Sequence, residues 1–419
     1  MKRIETKNKS IVNEKTLIVT VDIGKASNTG YCRCPDRTEV RSFMFSNTHD
    51  GFNEFWQTVS QVVQAKQLER VVVGFESTGS YAEPLMQFLK AKGVHLVQVN
   101  PMHSKRLREL GDNSPNKTDE KDPSVIADII ELGHALTVIM PEGAAAELRR
   151  LTQARERSLE RRTALLNQLH ALVFVSFPEF LQVMGAVKTK SAHYILKHYP
   201  TPQDIIQVDL EQLTGEVKRV SRGKLGIGRA RDLLEAARHS IGVQEGRTSV
   251  VLEIQAILVV IEHCEHVIQV FEKEISWHLK QVPYSSILLS MKGIGEITVA
   301  GLIGEVGDFK RFHSAAELMK YAGLNLFEIS SGQHKGTRHI TKRGRTLMRK
   351  LLFFAAMRTV RTNGIMHDQY QRYLHNGMNK IKALVAISRK LLGIMFALVR
   401  DYRTYQVQRN NVQVLKEVA

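Results

Sequence analysis

Short runs of β-branched and aromatic residues, separated by turn-forming residues, open the chain. Three such runs, at 16–23, 28–34 and 39–45, are divided by glycine, proline and aspartate. This pattern is typical of consecutive strands joined by tight turns. The sequence therefore predicts a β-meander at the N-terminal end.

Helical and strand patterns then alternate. Apolar residues three and four apart predict a helix over 51–65, and 70–76 has the continuous apolar centre of a buried parallel strand. A helix over 81–92, with Gly93 as its C-cap, and a second buried strand over 94–99 follow. Elements in this order predict an α/β layer with right-handed crossover connections.

Beyond residue 100 the chain becomes polar and then helical. Residues 101–121 are polar and basic and predict a loop, after which Asp122 and Pro123 predict a helix N-cap and first helical position. Two long amphipathic stretches, 142–175 and 244–282, are expected to pair as a coiled coil or hairpin and to support dimer formation.

The segment between the long helices, 178–243, mixes prolines and glycines with short apolar groups and predicts no definite fold. From 283 a compact helical region begins, with a tight Gly293-Ile294-Gly295 turn between two helices. Gly226-Ile227-Gly228 repeats this tripeptide earlier in the chain. The sequence thus predicts three domains, at 1–141, 142–282 and 283–419.

The net charge is strongly positive and unevenly distributed. Lys and Arg number 59 against 42 Asp and Glu, a net +17 at pH 7, which favours a nucleic acid or an anionic membrane as partner. Residues 1–130 hold 18 basic and 16 acidic residues, a net +2, which leaves +15 for the rest. Because no apolar run approaches the length of a membrane span, nucleic acid is the better interpretation.

Three cysteines, Cys32, Cys34 and Cys264, are too few and too scattered for a zinc site. The N-terminus also lacks the apolar core of a signal peptide. We therefore expect reduced thiols in a cytoplasmic protein, associated with the bacterial or archaeal nucleoid.

Carboxylates end two of the predicted strands. Asp22 ends the first strand and Glu76 the strand at 70–76, and the carboxyl ends of strands in α/β sheets face the crevice where ligands bind. Asp119 and Asp122 follow, three residues apart at a helix start, where they can face one way. Capping roles for Asp22 and Asp122 remain structural alternatives.

Four converging carboxylates repel each other unless cations neutralise them. Hard oxygen ligands suit Mg²⁺ or Mn²⁺. Two such ions, roughly 4 Å apart, can clamp the attacking and leaving oxygens of a phosphodiester. The four-acid series therefore predicts a metal-dependent site for phosphodiester chemistry.

The stretches around these acids resemble a known family. VDIGK around Asp22, FESTGSYAEPL around Glu76 and KTDEKDPSVIAD around Asp119 and Asp122 resemble the DEDD insertion-sequence transposases, which include the Piv-type invertase and the bridge-RNA-guided recombinases. The order of elements also resembles the RNase H-like fold and its RuvC-type resolvases. The resemblance spans almost the whole chain and is weakest over 178–243.

This resemblance implies both an architecture and partners. The expected architecture is an α/β RNase H-like (RuvC-like) N-terminal domain, then long coiled-coil helices, then an all-α C-terminal transposase domain with a helix-hairpin-helix-like element. The four acids would bind Mg²⁺ or Mn²⁺. Donor and target DNA, a structured guide RNA encoded by the same element, and a homo-oligomer (dimer or tetramer) are the implied partners.

A serine within a basic stretch forms a second constellation. Ser330-Ser331-Gly332 precedes a cluster of cationic residues that predicts a DNA-binding loop: Lys335, Arg338, Lys342, Arg343 and Arg345. A serine there could displace one DNA strand end and hold the phosphate as phosphoserine, although Ser-Ser-Gly alone also suits an ordinary turn. The resemblance implies Ser331 as the nucleophile because glycine follows it, and Ser330 stays the alternative.

The turn at Gly293 and Gly295 resembles a helix-hairpin-helix, whose backbone N–H groups bind phosphate without reading sequence. A packing joint between two helices is the alternative. Such an element would contribute affinity or architecture.

Together these features predict a transposase or recombinase that cuts and rejoins DNA. A structure-specific, metal-dependent nuclease without a covalent serine intermediate is one alternative. A non-enzymatic nucleic-acid-binding protein with a degenerate RNase H-like domain is another, and the retention of all four acids argues against it.

Overall fold

Six strands form a mixed sheet in the N-terminal part of the chain. The computed structural model describes residues 12–76, 79–112, 121–328, 336 and 338–406. The strands are β1 (Thr16–Asp22), β2 (Ser27–Arg33), β3 (Glu39–Ser46), β4 (Arg70–Glu76), β5 (His95–Val99) and β6 (Leu136–Thr137). Their order in space is β3-β2-β1-β4-β5-β6. β1 to β3 form the predicted antiparallel meander, β4 and β5 run parallel to β1, and β6 is an antiparallel edge.

Helices cover both faces of this sheet. They are α1 (His49–Ala65), α2 (Glu83–Ala91), α3 (Pro101–Asp112) and α4 (Lys121–Glu131). Leu17 and Val19 of β1 share a core with α1 and α2, whereas Ile18 shares the opposite core with Ile126 and Ile130 of α4. Because side chains alternate along a strand, the even-numbered residues of β1 face α4.

The first part of the predicted loop at 101–121 is instead the helix α3. The Asn100 side chain accepts a hydrogen bond from the Met102 N–H at 2.9 Å, and Pro101 occupies the first helical position. This Asn-Pro start outweighs the polar composition of the segment. Similarly, α4 already includes Lys121, so Asp122 lies in its first turn and not at the predicted N-cap.

The chain divides into two compact units, Met1–Ile139 and Met140–Ala419. The described helices of the second unit are α5 (Gly143–Ser176), α6 (Pro178–Met184), α7 (Lys190–His198), α8 (Pro202–Ile206), α9 (Leu210–Val220), α10 (Ile227–Arg238), α11 (Arg247–Lys280), α12 (Ser285–Leu289), α13 (Glu296–Val306), α14 (Ala315–Ala322), α15 (Thr346–Thr359), α16 (His367–His375) and α17 (Lys380–Arg400). The further domain boundary predicted at 282 stays a prediction.

Helices α5 and α11 pack against each other within one chain as an antiparallel hairpin. Arg155 pairs with Glu272 at 2.6 Å and Arg162 with Glu265 at 3.6 Å, so the residue numbers rise on one helix as they fall on the other. The two helices are the long amphipathic stretches that the sequence predicts. Dimer formation through them stays a prediction.

Five short helices, α6 to α10, occupy the segment for which the sequence predicts no fold. Their core joins one end of the hairpin, where Phe180 and Leu233 cluster with Leu169 of α5 and Ile254 of α11. Polar caps begin three of these helices, at Thr189, Thr201 and Asp209. The segment is thus a small helical body, named the helical insert below.

Helices α12 to α17 pack on the other end of the hairpin. Leu148 of α5 and Ile275 of α11 share this core with Leu302, Leu352 and Ile387. Two short strands that the sequence analysis did not anticipate, β7 (Leu326–Phe327) and β8 (His339–Ile340), pair antiparallel here. Across the described residues no single helix is long and apolar enough to cross a membrane. Only α5 and α6 together, bent by 117°, satisfy that test by length and composition.

Candidate active site

Two carboxylates lie side by side where neighbouring parallel strands end. β1 and β4 pair up to Val21 and Phe75, and Asp22 and Glu76 are the next residue on each strand, so they share one rung of the sheet. Neighbouring strands lie roughly 4.8 Å apart. By the alternation of side chains, both acids project from the face that α4 covers. This proximity agrees with the convergence predicted for the two acids.

The start of α4 is fastened to the same place. The buried Thr20 hydroxyl donates a hydrogen bond of 2.9 Å to the Pro123 carbonyl, which joins β1, two residues before Asp22, to the residue after Asp122. The backbone of Asp122 is thereby held near the end of β1. The side chain of Asp122 lies outside the described part of the structure, and so does the whole of Asp119.

Two further residues hold α4 on the sheet. Arg33 of β2 is 7% exposed and pairs with Asp128 of α4, while also bonding Glu39 at 3.1 Å. Gly74 of β4 lies so close beneath α4 that an added Cβ would be 2.3 Å from the Ile130 Cδ1 atom. Glycine inside a strand often marks such a close approach. The sequence patterns did not identify Thr20, Arg33 and Gly74 as positioning residues, although the glycine within an apolar strand was a signal for such a close approach.

The chemistry of the two acids fits a cation. Glu76 is half-buried, and its Oε1 atom is inaccessible to solvent with no hydrogen-bond donor among the described residues. A buried carboxylate oxygen without a partner is costly, and ligation of a divalent cation would offset that cost. Among the described side chains no three His, Cys, Asp or Glu residues come together. The complete four-acid set therefore stays a prediction.

The predicted serine loop is only partly described. Ser330, Ser331 and Lys335 lie outside the described residues. Arg338 is exposed and donates a hydrogen bond of 2.8 Å to Glu328.

Lys342 and Arg343 are exposed and form no ion pair with a described residue. Lys342 adopts a φ of +54° and donates its N–H to the Gly323 carbonyl at 3.0 Å. These two cations are thus available to an anion, and their predicted phosphate contacts stay a prediction.

Arg345 is already engaged inside the protein. Its Nε donates to Glu305, which is 2% exposed and also accepts a hydrogen bond of 3.0 Å from Gln153. Burial lowers the pKa of Arg345, but the charges of Tyr321 and Glu305 outweigh this effect and raise it. The structure thus gives Arg345 an internal partner, and its predicted phosphate contact stays a prediction.

The two Gly-Ile-Gly tripeptides differ in structure. Gly293 needs its positive φ of +94°, and Gly295 is the N-cap of α13, accepting from the Thr298 and Val299 N–H groups at 3.0 and 3.1 Å. In the helical insert the first glycine, Gly226, holds that capping position instead. The repeat is therefore one of sequence and not of local structure.

Comparisons with known proteins identify the family of this chain. Residues 19–178 match the DEDD transposase model of the IS110 type, and residues 285–371 match the model of the transposase IS116/IS110/IS902 family. Together the matches cover more than half of the chain.

Two relatives and one solved structure illustrate the likeness. The IS110 insertion-element protein of Streptomyces coelicolor is 22% identical over 92% of this chain and 94% of its own. The pilin gene-inverting protein of Moraxella bovis is 32% identical over 29% of this chain and 38% of its own. The structure of T. thermophilus RuvC with a Holliday junction substrate covers 29% of this chain and 99% of its own, with a TM-score of 0.21 and 15% identity. At this TM-score the likeness carries no argument about the fold, which rests on the strand order described above.

Proposed function

This chain belongs to the IS110/IS116/IS902 family of transposases and is a DNA transposase, and we propose that its chemistry uses two separate sets of residues. One is a four-carboxylate metal site in an RNase H-like (RuvC-like) N-terminal unit. The other is a serine nucleophile, Ser331, in the C-terminal part of the chain. The observation that carries the proposal is the shared rung of Asp22 and Glu76 beneath the start of α4.

In this proposal Asp22, Glu76, Asp119 and Asp122 together hold Mg²⁺ or Mn²⁺. The bound ions supply charge stabilisation to the oxygens of a phosphodiester. The residues of the chain do the rest: the carboxylates fix the ligand positions, and Thr20, Arg33 and Gly74 set how close α4 and its acid come to the strand ends. The unpartnered Glu76 oxygen supports this assignment.

The serine would make the break in DNA reversible. Its Oγ attacks phosphorus, one P–O bond forms to serine and one P–O bond to a deoxyribose oxygen breaks. The hydroxyl proton leaves with a base, and the departing oxygen takes up a proton. The bond energy is kept as phosphoserine, which a second strand end can attack to rejoin DNA. The exposed Lys342 and Arg343 support a phosphate at this loop.

The proposal also covers how the DNA sequence is recognised and how the protein assembles. A guide RNA encoded by the same element would supply sequence choice by base pairing, as in other RNA-guided systems, so the protein would need no base-reading motif. We also propose a homo-oligomer in the cytoplasm, at the nucleoid. Within it the serine of one protomer could serve the acids of another.

A covalent-adduct assay tests the serine. Ser331→Ala is compared with Ser330→Ala, using end-labelled DNA that carries the element's own termini and denaturing electrophoresis of the protein. We expect Ser331→Ala to bind nucleic acid normally but to yield no labelled protein and no recombinant, because alanine removes only the attacking oxygen. Adduct from Ser331→Ala but not from Ser330→Ala would move the nucleophile to Ser330.

Cleavage without any adduct in both variants and in the parent would replace this proposal with the metal-only nuclease. Mixing Ser331→Ala with Asp22→Ala protein tests whether the site is shared. A site built from two protomers regains partial activity in the mixture, whereas a site within one chain does not.

A further inference from the structure

Positive charge within the helical insert is gathered around a single turn. Residues 178–243 contain ten basic and seven acidic residues, yet 217–231, where α9 ends and α10 begins, holds six of the basic ones and none of the acidic. The rest of the insert is therefore net negative, with four basic residues against seven acidic. The turn therefore holds most of the positive charge of the insert.

Four of these six cations have no partner among the described residues. Lys218, Arg222, Lys224 and Arg231 are exposed and form no ion pair or hydrogen bond through their side chains with a described residue. These four residues are named the α9–α10 patch. The other two serve the fold: Arg219 donates to the Tyr194 hydroxyl at 2.8 Å, and Arg229 donates to the Val183 carbonyl.

The charge at the start of α10 does not stabilise that helix. A helix N-terminus carries partial positive charge and is stabilised by acidic residues, but the first turn of α10 contains none. Arg229 lies in that turn, and Arg231 begins the next turn, directly before Asp232. The helix dipole and the arginine side chains therefore both make the electrostatic potential at the start of α10 more positive. A bound anion would reduce that potential.

Two glycines in the same turn have no packing role. A Cβ added at Gly226 or Gly228 would meet nothing within 4 Å, and neither glycine has a positive φ. Gly226 is the N-cap of α10, a position that itself favours glycine. Gly228 lies inside the first turn, where glycine is less favourable than alanine, so the fold does not require Gly228. An open glycine does let a bulky anion approach the backbone N–H groups closely.

The turn is also held in one shape. Arg222 has a φ of +54° and Gly223 of +78°, and the Gly223 N–H donates to the Lys218 carbonyl at 2.8 Å. The Ser221 hydroxyl accepts from the Leu225 N–H at 2.9 Å. Cations on a turn fixed in this way lose less freedom when they bind.

We propose that the α9–α10 patch binds the phosphate backbone of double-stranded DNA, as a second contact outside the candidate active site. This rests on the proposed function only in that DNA is the substrate. Segment 217–231 contains no aromatic residue, and aromatic side chains are what proteins use to stack unpaired bases. Cations beside open glycines recognise the paired backbone and read no sequence.

The test compares two variants with the same loss of charge in the same helical body. Lys218→Gln, Lys224→Gln and Arg231→Gln are combined in one variant. Lys188→Gln, Lys190→Gln and Arg238→Gln are combined in the control. Binding of the full-length protein to a random-sequence DNA duplex is measured as a function of salt. The patch variant should lower the log–log slope by about 2.7, or 0.9 for each phosphate contact, and the control should leave it unchanged.

A second variant separates binding from folding. Gly228→Ala should raise the midpoint of thermal unfolding, because alanine favours helix, yet weaken duplex binding several-fold. A lower unfolding midpoint together with weaker binding would make the glycine structural and overturn its assigned role.

Equal salt slopes for the patch variant and its control would overturn the proposal. Loss of affinity for an RNA duplex of the same sequence, with the DNA slope intact, would assign the patch to RNA and equally overturn it. Adduct formation on short DNA at saturating concentration reports the serine chemistry separately, so the two proposals can fail independently.

Discussion

Substitution of Gly74 tests how α4 is positioned over the strand ends. In Gly74→Ala the new methyl lies 2.3 Å from the Ile130 Cδ1 atom, whereas carbon atoms pack at roughly 3.5 to 4.0 Å. The Ile130 Cδ1 atom must therefore move by about 1.2 Å, by rotation of its side chain or with α4, and the Val97 Cγ2 atom, at 3.2 Å, must also give way slightly. Overpacking of this kind costs about 1 to 3 kcal/mol.

A compensating change makes the prediction specific. Ile130→Val removes Cδ1 and leaves Cγ1 as the nearest atom of that side chain, at 3.4 Å. Alone it should cost about 0.5 to 1.5 kcal/mol. If the clash is the cause, the double variant should be more stable than the sum of the two single effects by about 1 kcal/mol or more.

Urea unfolding measured by tryptophan fluorescence provides the assay. Trp56 lies in α1 and Trp277 in α11, so a Trp277→Phe background makes the signal report the N-terminal unit alone. The double variant should also recover strand cleavage that Gly74→Ala loses, because α4 carries Asp122. Strictly additive free energies would refute the clash with Ile130 as the cause of the destabilisation.

Two further predictions follow from the same site and from the buried ion pair. Asp22→Asn and Glu76→Gln should each abolish strand cleavage. Mg²⁺ should raise the midpoint of thermal unfolding of the parent protein but not of these two variants. Cleavage at the parental rate in both variants would rule out the metal assignment. Glu305→Gln leaves the Arg345 charge without its partner and should cost about 3 kcal/mol in urea unfolding followed at Trp277. Arg345→Met added to it should recover much of that loss, and a cost below about 1 kcal/mol would show that the pair is not structurally important.

Most of the sheet could be predicted because its signals are local. β-branched runs and the turns between them place β1 to β5 within a residue or so of their observed bounds. They also place Asp22 and Glu76 at strand ends, whereas the shared rung comes from the pairing register of β1 with β4. The helix α3 was missed because composition was weighed above its start signal. The Asn100 and Pro101 pair is the stronger physical cue.

Other features depend on contacts that are distant in sequence. Glu305 and Arg345 are 40 residues apart, and nothing near Arg345 distinguishes it from the exposed Arg343. The fold of the helical insert was equally hidden. Its helices are short, and the hydrophobic residues that hold them lie partly on α5 and α11. Patterns along the chain show which residues are apolar but not which neighbours cover them.

The α5–α11 hairpin also sets the distance between the two helical bodies at its ends. Leu148 and Leu169 of α5 belong to the two cores at its opposite ends, and 21 residues at 1.5 Å each separate them by about 32 Å. The hairpin thus holds the C-terminal helices and the helical insert at a fixed separation along its length. Because helix length and not loop tension sets this spacing, only matched insertions in both helices could change it, and each residue added would also rotate one end against the other by about 100°.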